Sequence, residues 1–233
     1  MTQVKDERFA VIKKMVAALE KPLIALSHAI HDKPELAFEE EQASLQVAKL
    51  LAQEGFHVVS GIGGMKTAVK ALRKSSKPGP TVAFLAEYDA LPDLGHACGH
   101  NVIAAASVGA AAVLGRLVQE TGGSVLLLGT PAEEIGGGKI RMIEAGIFDE
   151  VDFALMMHPA NESLIGRSST ACSELVMEFY GKPAHSSKPE RGINALQPLI
   201  RMFNYVEGLL PQLSDRARIN GIVTAGGTAS NVV

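Results

Sequence analysis

Thr81-Val82-Ala83-Phe84-Leu85-Ala86-Glu87-Tyr88-Asp89 is an apolar run that ends abruptly in two carboxylates. Its length, and the turn residues Pro78-Gly79-Pro80 before it, give it the character of a short buried strand. Similar runs, β-branched or apolar and bounded by turn residues, occur at 67–72, 124–128 and 153–157. Helical stretches at 102–118 and 139–145 lie between them. Apolar strands alternating with helices predict a layered α/β domain with a largely parallel central sheet. The 102–118 stretch is rich in Ala, Gly and Ser, which suits a helix packed closely on that sheet.

Upstream, Phe9, Ile12, Met15, Val16 and Leu19 recur at helical spacing. A second helix is expected over 22–31, with Pro22 in its first turn, and a third over 39–54, closed by Gly55. Downstream, the pattern shifts near Ser168. The stretch 175–179 alternates as a strand with one wet face, 194–210 reads as an amphipathic helix, and 219–224 as another strand. The expectation is two domains: 1–170, and 171–233 as the start of a smaller α+β domain. Ser230-Asn231-Val232-Val233 follows a strand and turn directly, so that second domain is expected to be incomplete.

The chain has 233 residues, 47% of them hydrophobic, enough to bury a sizeable core. Net charge is −3 and no Lys/Arg block occurs, so neither nucleic acid nor an anionic membrane is the expected partner. Trp is absent and aromatics are 5%, which also disfavours a base-stacking surface. The charged amino terminus does not read as a signal peptide. With two cysteines and no export signal, a reducing cytoplasm is expected.

The chemistry gathers at strand ends, where open α/β sheets bind ligands. After 82–86 come Asp89 and the loop with Cys98 and His100. After 125–128 comes Pro131-Ala132-Glu133-Glu134, and after 153–157 comes His158-Pro159. Thiolate, imidazole and carboxylate at one edge describe a divalent metal site, with zinc favoured and manganese or cobalt as the other candidates. Taken alone, Cys98 reads more readily as a small buried hydrophobe, and His100 as a cap of the following helix. His158 stands evenly between ligand and structural histidine. The adjacent Glu133 and Glu134, followed by Gly136-Gly137-Gly138, are poorly explained by folding. That glycine run lacks the spacing of a phosphate-binding loop.

Together these residues resemble the M20 metallopeptidase and aminoacylase family, in the branch of N-acyl-amino-acid amidohydrolases and aminoacylase-1-like-2 dipeptidases. The likeness is carried by His31-Asp32-Lys33-Pro34-Glu35-Leu36, Asp89-Ala90-Leu91-Pro92, the stretch from His96 to Asn101, and Gly129 to Glu134. It continues in Met157-His158-Pro159, Ala184-His185-Ser186-Ser187, Gly192-Ile193-Asn194-Ala195-Leu196 and Gly226-Gly227-Thr228-Ala229-Ser230-Asn231.

The resemblance implies a phosphorylase/hydrolase-like catalytic domain with a ferredoxin-like lid and dimerisation domain. It implies two divalent ions held by Cys98, His100, Glu134 and His158, with Cys98 near or bridging both. Glu133 would be the general base that takes a proton from metal-activated water and passes it to the leaving amine. Asp89 would orient a ligand from behind. His185 would reach the active site of a partner subunit in a homodimer and polarise the scissile carbonyl, and Asn231 would help bind substrate. The substrate would be an N-acyl amino acid or dipeptide.

The wider family often has His-x-Asp where this chain has Glu87-Tyr88-Asp89; the Cys98/His100 arrangement is read as replacing that histidine. Asn101 stands where many of the branch have Asp. The region that supplies a last histidine ligand is expected to lie beyond Val233. Two other readings compete with the metal amidohydrolase: a hydrolase with Cys98 as nucleophile, and a truncated, metal-poor binding or dimerisation module.

Overall fold

The computed structural model describes residues 2–166, 171–214 and 217–233. The chain divides into one compact unit over Met1–Leu164 and a second over Ile165–Val233. The compositional shift at Ser168 and the expected limit at residue 170 lie outside the described residues.

The first unit is the expected layered α/β domain. Its elements are α1 (Thr2–His31), α2 (Glu41–Gln53), β1 (His57–Ser60), β2 (Val69–Lys74), β3 (Thr81–Ala86), α3 (His100–Thr121), β4 (Ser124–Gly129), α4 (Gly138–Glu144) and β5 (Phe153–Leu155). They form one five-stranded sheet of order β1-β2-β4-β3-β5. β3 pairs parallel with both β4 and β5, while β2 pairs antiparallel with β4 and with β1. Four strands thus point one way and β2 runs against them.

Alternation along β4 assigns the two faces. Leu127 and Val125 pack with Ala104, Val108 and Ala111 of α3, Leu26 and Ile30 of α1, and Val47 and Leu51 of α2. Leu126 and Leu128 pack with Met142 of α4 on the other face. α3 is long and apolar enough to cross a membrane, but 67% of its most apolar window is buried inside the protein. Its small residues explain the close packing: a Cβ on Gly109 would sit 2.7 Å from Leu23 Cδ1.

One local expectation changes, and one strand is added. Pro22 does not open a second helix; it lies inside the single helix α1. Proline removes one backbone donor and strains the turn before it. Here the apolar face runs through the break, with Leu19, Leu26 and Ile30 buried and Leu23 packed beside them. Residues 57–60 form a strand that the sequence pattern did not mark. Helix α2 ends before Gly55, whose φ is +80°, and Val58 and Val59 then pair with Ala71 and Lys70 of β2.

In the second unit, α5 (Leu196–Leu209) forms as expected. The expected strands at 175–179 and 219–224 do not. A strand exists only through its partners, and these stretches pair with nothing among the described residues; Leu175, Val176 and Ile222 are instead exposed. The unit's backbone pairing joins other segments. Lys182 and Ile193 exchange both hydrogen bonds at 2.9 Å, and Ser186 and Val233 donate to Asn231 and Ala184.

One buried carboxylate ties the first unit together around its functional edge. Glu40, fully buried, accepts the backbone N–H of Phe38 at 3.0 Å and of Ala132 at 2.8 Å, and the Thr67 hydroxyl at 2.7 Å. Ala132 has φ +57°, a conformation alanine adopts only under constraint. Glu40 therefore pins the loop that carries Glu133 and Glu134. Glu40→Ala would orphan three donors at roughly 1–3 kcal/mol each, so a loss of about 3 kcal/mol or more is expected in denaturant unfolding, against about 1 for Glu40→Gln. Burial raises the Glu40 carboxyl, with its hydrogen bonds opposing. A raised carboxyl contributes stability that is complete below the unfolded value and is lost as pH rises through the folded one. The deficit of Glu40→Gln against the unaltered chain should accordingly be largest below about pH 4.3 and shrink as pH rises.

Candidate metal centre

The carboxyl ends of β3, β4 and β5 lie side by side, because the three strands are parallel and adjacent. Each delivers chemistry to the same edge. Beyond β3, Glu87 and Asp89 are both buried. The chain then turns at Gly99, whose φ of +79° lets α3 begin with His100. A Cβ on Gly99 would meet Pro159 Cγ at 2.9 Å, so a larger residue would push the His158-Pro159 segment off the Cys98–His100 turn. Beyond β4, the Glu133-Glu134 loop ends where Gly138 starts α4; a Cβ there would be 1.9 Å from the Pro131 carbonyl oxygen.

His100 is the hub. Its Nδ1–H faces the Asp89 carbonyl at 2.9 Å and Asp89 Oδ1 at 3.1 Å. That pairing fixes the tautomer and leaves Nε2 with a lone pair. Around Nε2 stand Glu87 Oε2 at 3.5 Å, Glu134 Oε1 at 3.7 Å and Glu133 Oε2 at 3.8 Å. Donor atoms of Glu87, His100 and His158 fall within 4.8 Å of one another, as do those of His100, Glu133 and Glu134. His158 bonds its own neighbour's carbonyl, Pro159 O, through Nδ1 at 2.8 Å, which also leaves Nε2 available.

Three of these atoms, Glu87 Oε2, His100 Nε2 and Glu134 Oε1, are buried without a hydrogen-bond partner. Buried polar atoms are costly unless paired. Two ligands about 2.1 Å from a tetrahedral zinc lie roughly 3.4 Å apart, close to the separations found. The residues therefore fit a divalent cation.

The electrostatics agree. Burial alone would lower His100; the Asp89 hydrogen bond and the charges of Asp89, Glu87 and Glu134 outweigh it and raise it. Carboxylates that would keep a proton on Nε2 would equally hold a metal ion there. Burial would raise Asp89, but His100 and the Glu134 N–H, donating to Oδ2 at 2.9 Å, hold it below its ordinary value. Glu133 is raised by burial and then by Glu87, with Lys139 opposing.

Of the residues expected from sequence, Asp89, His100, Glu133, Glu134 and His158 come together in the first unit. Cys98 is beside them, its thiol hydrogen-bonded to Glu134; that bond first, then burial, pushes it up to about 11. His185 and Asn231 lie in the second unit. They are neighbours there: His185 bridges to Val232, and Ser186 N–H donates to Asn231 O at 3.0 Å. His185 Nδ1 accepts the Ser187 N–H at 3.2 Å and lies 2.9 Å from its hydroxyl. Asn101 turns away, its side-chain amide donating to Ser27 Oγ of α1 at 2.9 Å.

The sequence reading gave no site role to Glu87 or its partner Lys139, and placed His96 in the site stretch without a role. It treated the Glu87 position as a lost histidine, when a carboxylate one residue past a buried strand was itself the signal. Lys139 forms an ion pair with Glu87 Oε1. Burial, then the charges of His100 and His31, lower His96.

An α/β sheet edge furnished with such donors defines a candidate metal-dependent hydrolase site, and comparison with known proteins agrees in class. The profile of peptidase family M20/M25/M40 matches residues 83–210, more than half of the chain. The chain belongs to this family. It is 39% identical over 222 residues to the Xaa-Arg dipeptidase of Mus musculus, covering 90% of this chain and 52% of the relative. It is 29% identical over 238 residues to the N-acetyl-L-cysteine deacetylase of Bacillus subtilis, covering 91% and 57%. A solved Bacillus subtilis protein described as a dinuclear metal binding peptidase from the M20 family superposes with TM-score 0.51 at 29% identity, covering 59% of this chain and 42% of that one. The chain spans a little over half the length of these two curated relatives.

A thiol at about 11 is only about one part in a thousand thiolate at pH 8. Iodoacetamide at pH 8 should therefore label exposed Cys172 well before Cys98 in metal-stripped protein, as read by peptide mass spectrometry.

Proposed function

We propose that this chain carries the metal-binding half of an amidohydrolase that cleaves the amide bond of a dipeptide or an N-acyl amino acid. The observation that supports this best is the convergence of unpartnered, buried donor atoms on His100 Nε2 at the carboxyl edge of the sheet. Cys98, His100, Glu134 and His158 would hold two divalent ions, zinc in preference. When bound, such ions supply a Lewis acid for the scissile carbonyl and lower the pKa of water to about 7.

The remaining work falls to side chains. Glu133 is the most exposed carboxylate of the cluster, and burial and Glu87 raise it. Both properties suit a general base that takes a proton from water and returns it to the leaving amine. Asp89 holds His100 in one tautomer and one orientation. His185, its Nδ1 occupied by Ser187, offers an Nε2–H to a carbonyl oxygen, and Asn231 is positioned next to it; both would serve a partner's site in a homodimer. The dipeptidase relative, the more similar of the two, favours the dipeptide among the two substrate classes.

The Cys98-nucleophile reading loses support from the thiol's bond to Glu134 and its raised pKa. Glu133→Gln should lower kcat by roughly 10²–10⁴-fold, with metal content by elemental analysis unchanged. A chelator should abolish hydrolysis of dipeptides and acyl amino acids, with zinc or manganese restoring it. Activity that survives full metal removal would sink the reading.

A further inference from the structure

Glu87 is the feature that the proposed ligand set leaves unexplained. It is a carboxylate at 1% exposure, and carboxylates are rarely buried without a strong reason. Its two oxygens are treated differently. Oε1 is held by Lys139, which reaches over from the first turn of α4. Oε2 has no hydrogen-bond partner and stands 3.5 Å from His100 Nε2, and a donor atom of Glu87 is within reach of one from His158.

A buried ion pair with Lys139 alone would satisfy one oxygen and waste the other. An unpartnered oxygen beside His100 Nε2, on a residue that has a donor atom within 4.8 Å of donor atoms of both His100 and His158, is the arrangement of a ligand. We propose that Glu87 is a ligand of the metal centre, with Oε2 directed at the ion and Oε1 held by Lys139. A carboxylate donor joins the imidazoles of His100 and His158 in a nitrogen and oxygen set suited to zinc, cobalt or manganese. Lys139 acts as a positioning residue: its ammonium fixes the carboxylate rotamer and leaves one oxygen to bind. This assignment rests on the metal-hydrolase reading but adds a ligand to it.

The test is direct metal binding by the full, metal-stripped chain, without recourse to activity. Zinc affinity is measured by calorimetry, and cobalt(II) absorption in the visible reports the ligand set. Glu87→Gln preserves shape but removes the anionic donor. It should bind zinc about 10- to 100-fold more weakly and shift the cobalt bands. Glu87→His returns a neutral donor and should recover most of the lost affinity, with a cobalt spectrum of its own. Wild-type affinity and an unchanged cobalt spectrum in Glu87→Gln overturn the assignment. Equal losses in the Gln and His variants, both shown folded by thermal melting, also overturn it, because Glu87 would then serve only to satisfy Lys139. If the unaltered chain takes up no divalent ion, the proposed function falls along with this assignment.

Discussion

Four carboxylates, Glu87, Asp89, Glu133 and Glu134, crowd one buried imidazole, and the fold around them is arranged to tolerate that charge. Like charges a few ångströms apart repel more strongly as water is excluded. Each carboxylate has its own compensation. Asp89 takes His100 and the Glu134 N–H, and Glu87 takes Lys139. Glu134 takes the Cys98 thiol, while Glu133 keeps partial access to water. What is left over is a set of lone pairs directed at a common point. That residue of unsatisfied charge is the physical meaning of a cation site.

Holding such a cluster requires rigid supports that carry no catalytic chemistry. The parallel triplet β4-β3-β5 places three loops at one edge. Gly99 lets α3 start close enough to Pro159 for two of those loops to touch. Glu40 supplies the third constraint, spanning 27 residues to Thr67 and 92 to Ala132. It turns the loop after β4 from a free connection into a fixed one, despite the positive φ of Ala132. Fold stability and site geometry are therefore coupled through one buried carboxylate, Glu40.

Much of this was legible in sequence where local pattern decides structure. The run at 81–86 was read to both ends, because an apolar strand between a Pro/Gly turn and two carboxylates has few alternatives. The gathering of Asp89, His100, Glu133, Glu134 and His158 followed from strand direction alone. Pro22 misled because its local cost is real, but the apolar face on either side of it packs against α3. Alternation at 175–179 and 219–224 misled for the opposite reason. It describes a surface that suits pairing, and pairing needs a partner that sequence spacing does not guarantee. Glu40 and Lys139 were invisible because their value lies in contacts far along the chain.

Glu87 shows a different kind of limit. The family pattern marks position 87 only by the histidine that it lacks. The physical signal at that position is the cost of burying a charge. On that basis Glu87 stands out immediately, as a near-fully buried carboxylate with one oxygen paired and one not. Asn101 is the complementary case: it departs from the family pattern, but its side chain is spent on Ser27, tying α3 to α1, and Asp89 alone orients His100. The loss of a charge at 101 thus leaves the hub intact, and Glu87, Glu133 and Glu134 stand on the Nε2 side of the imidazole.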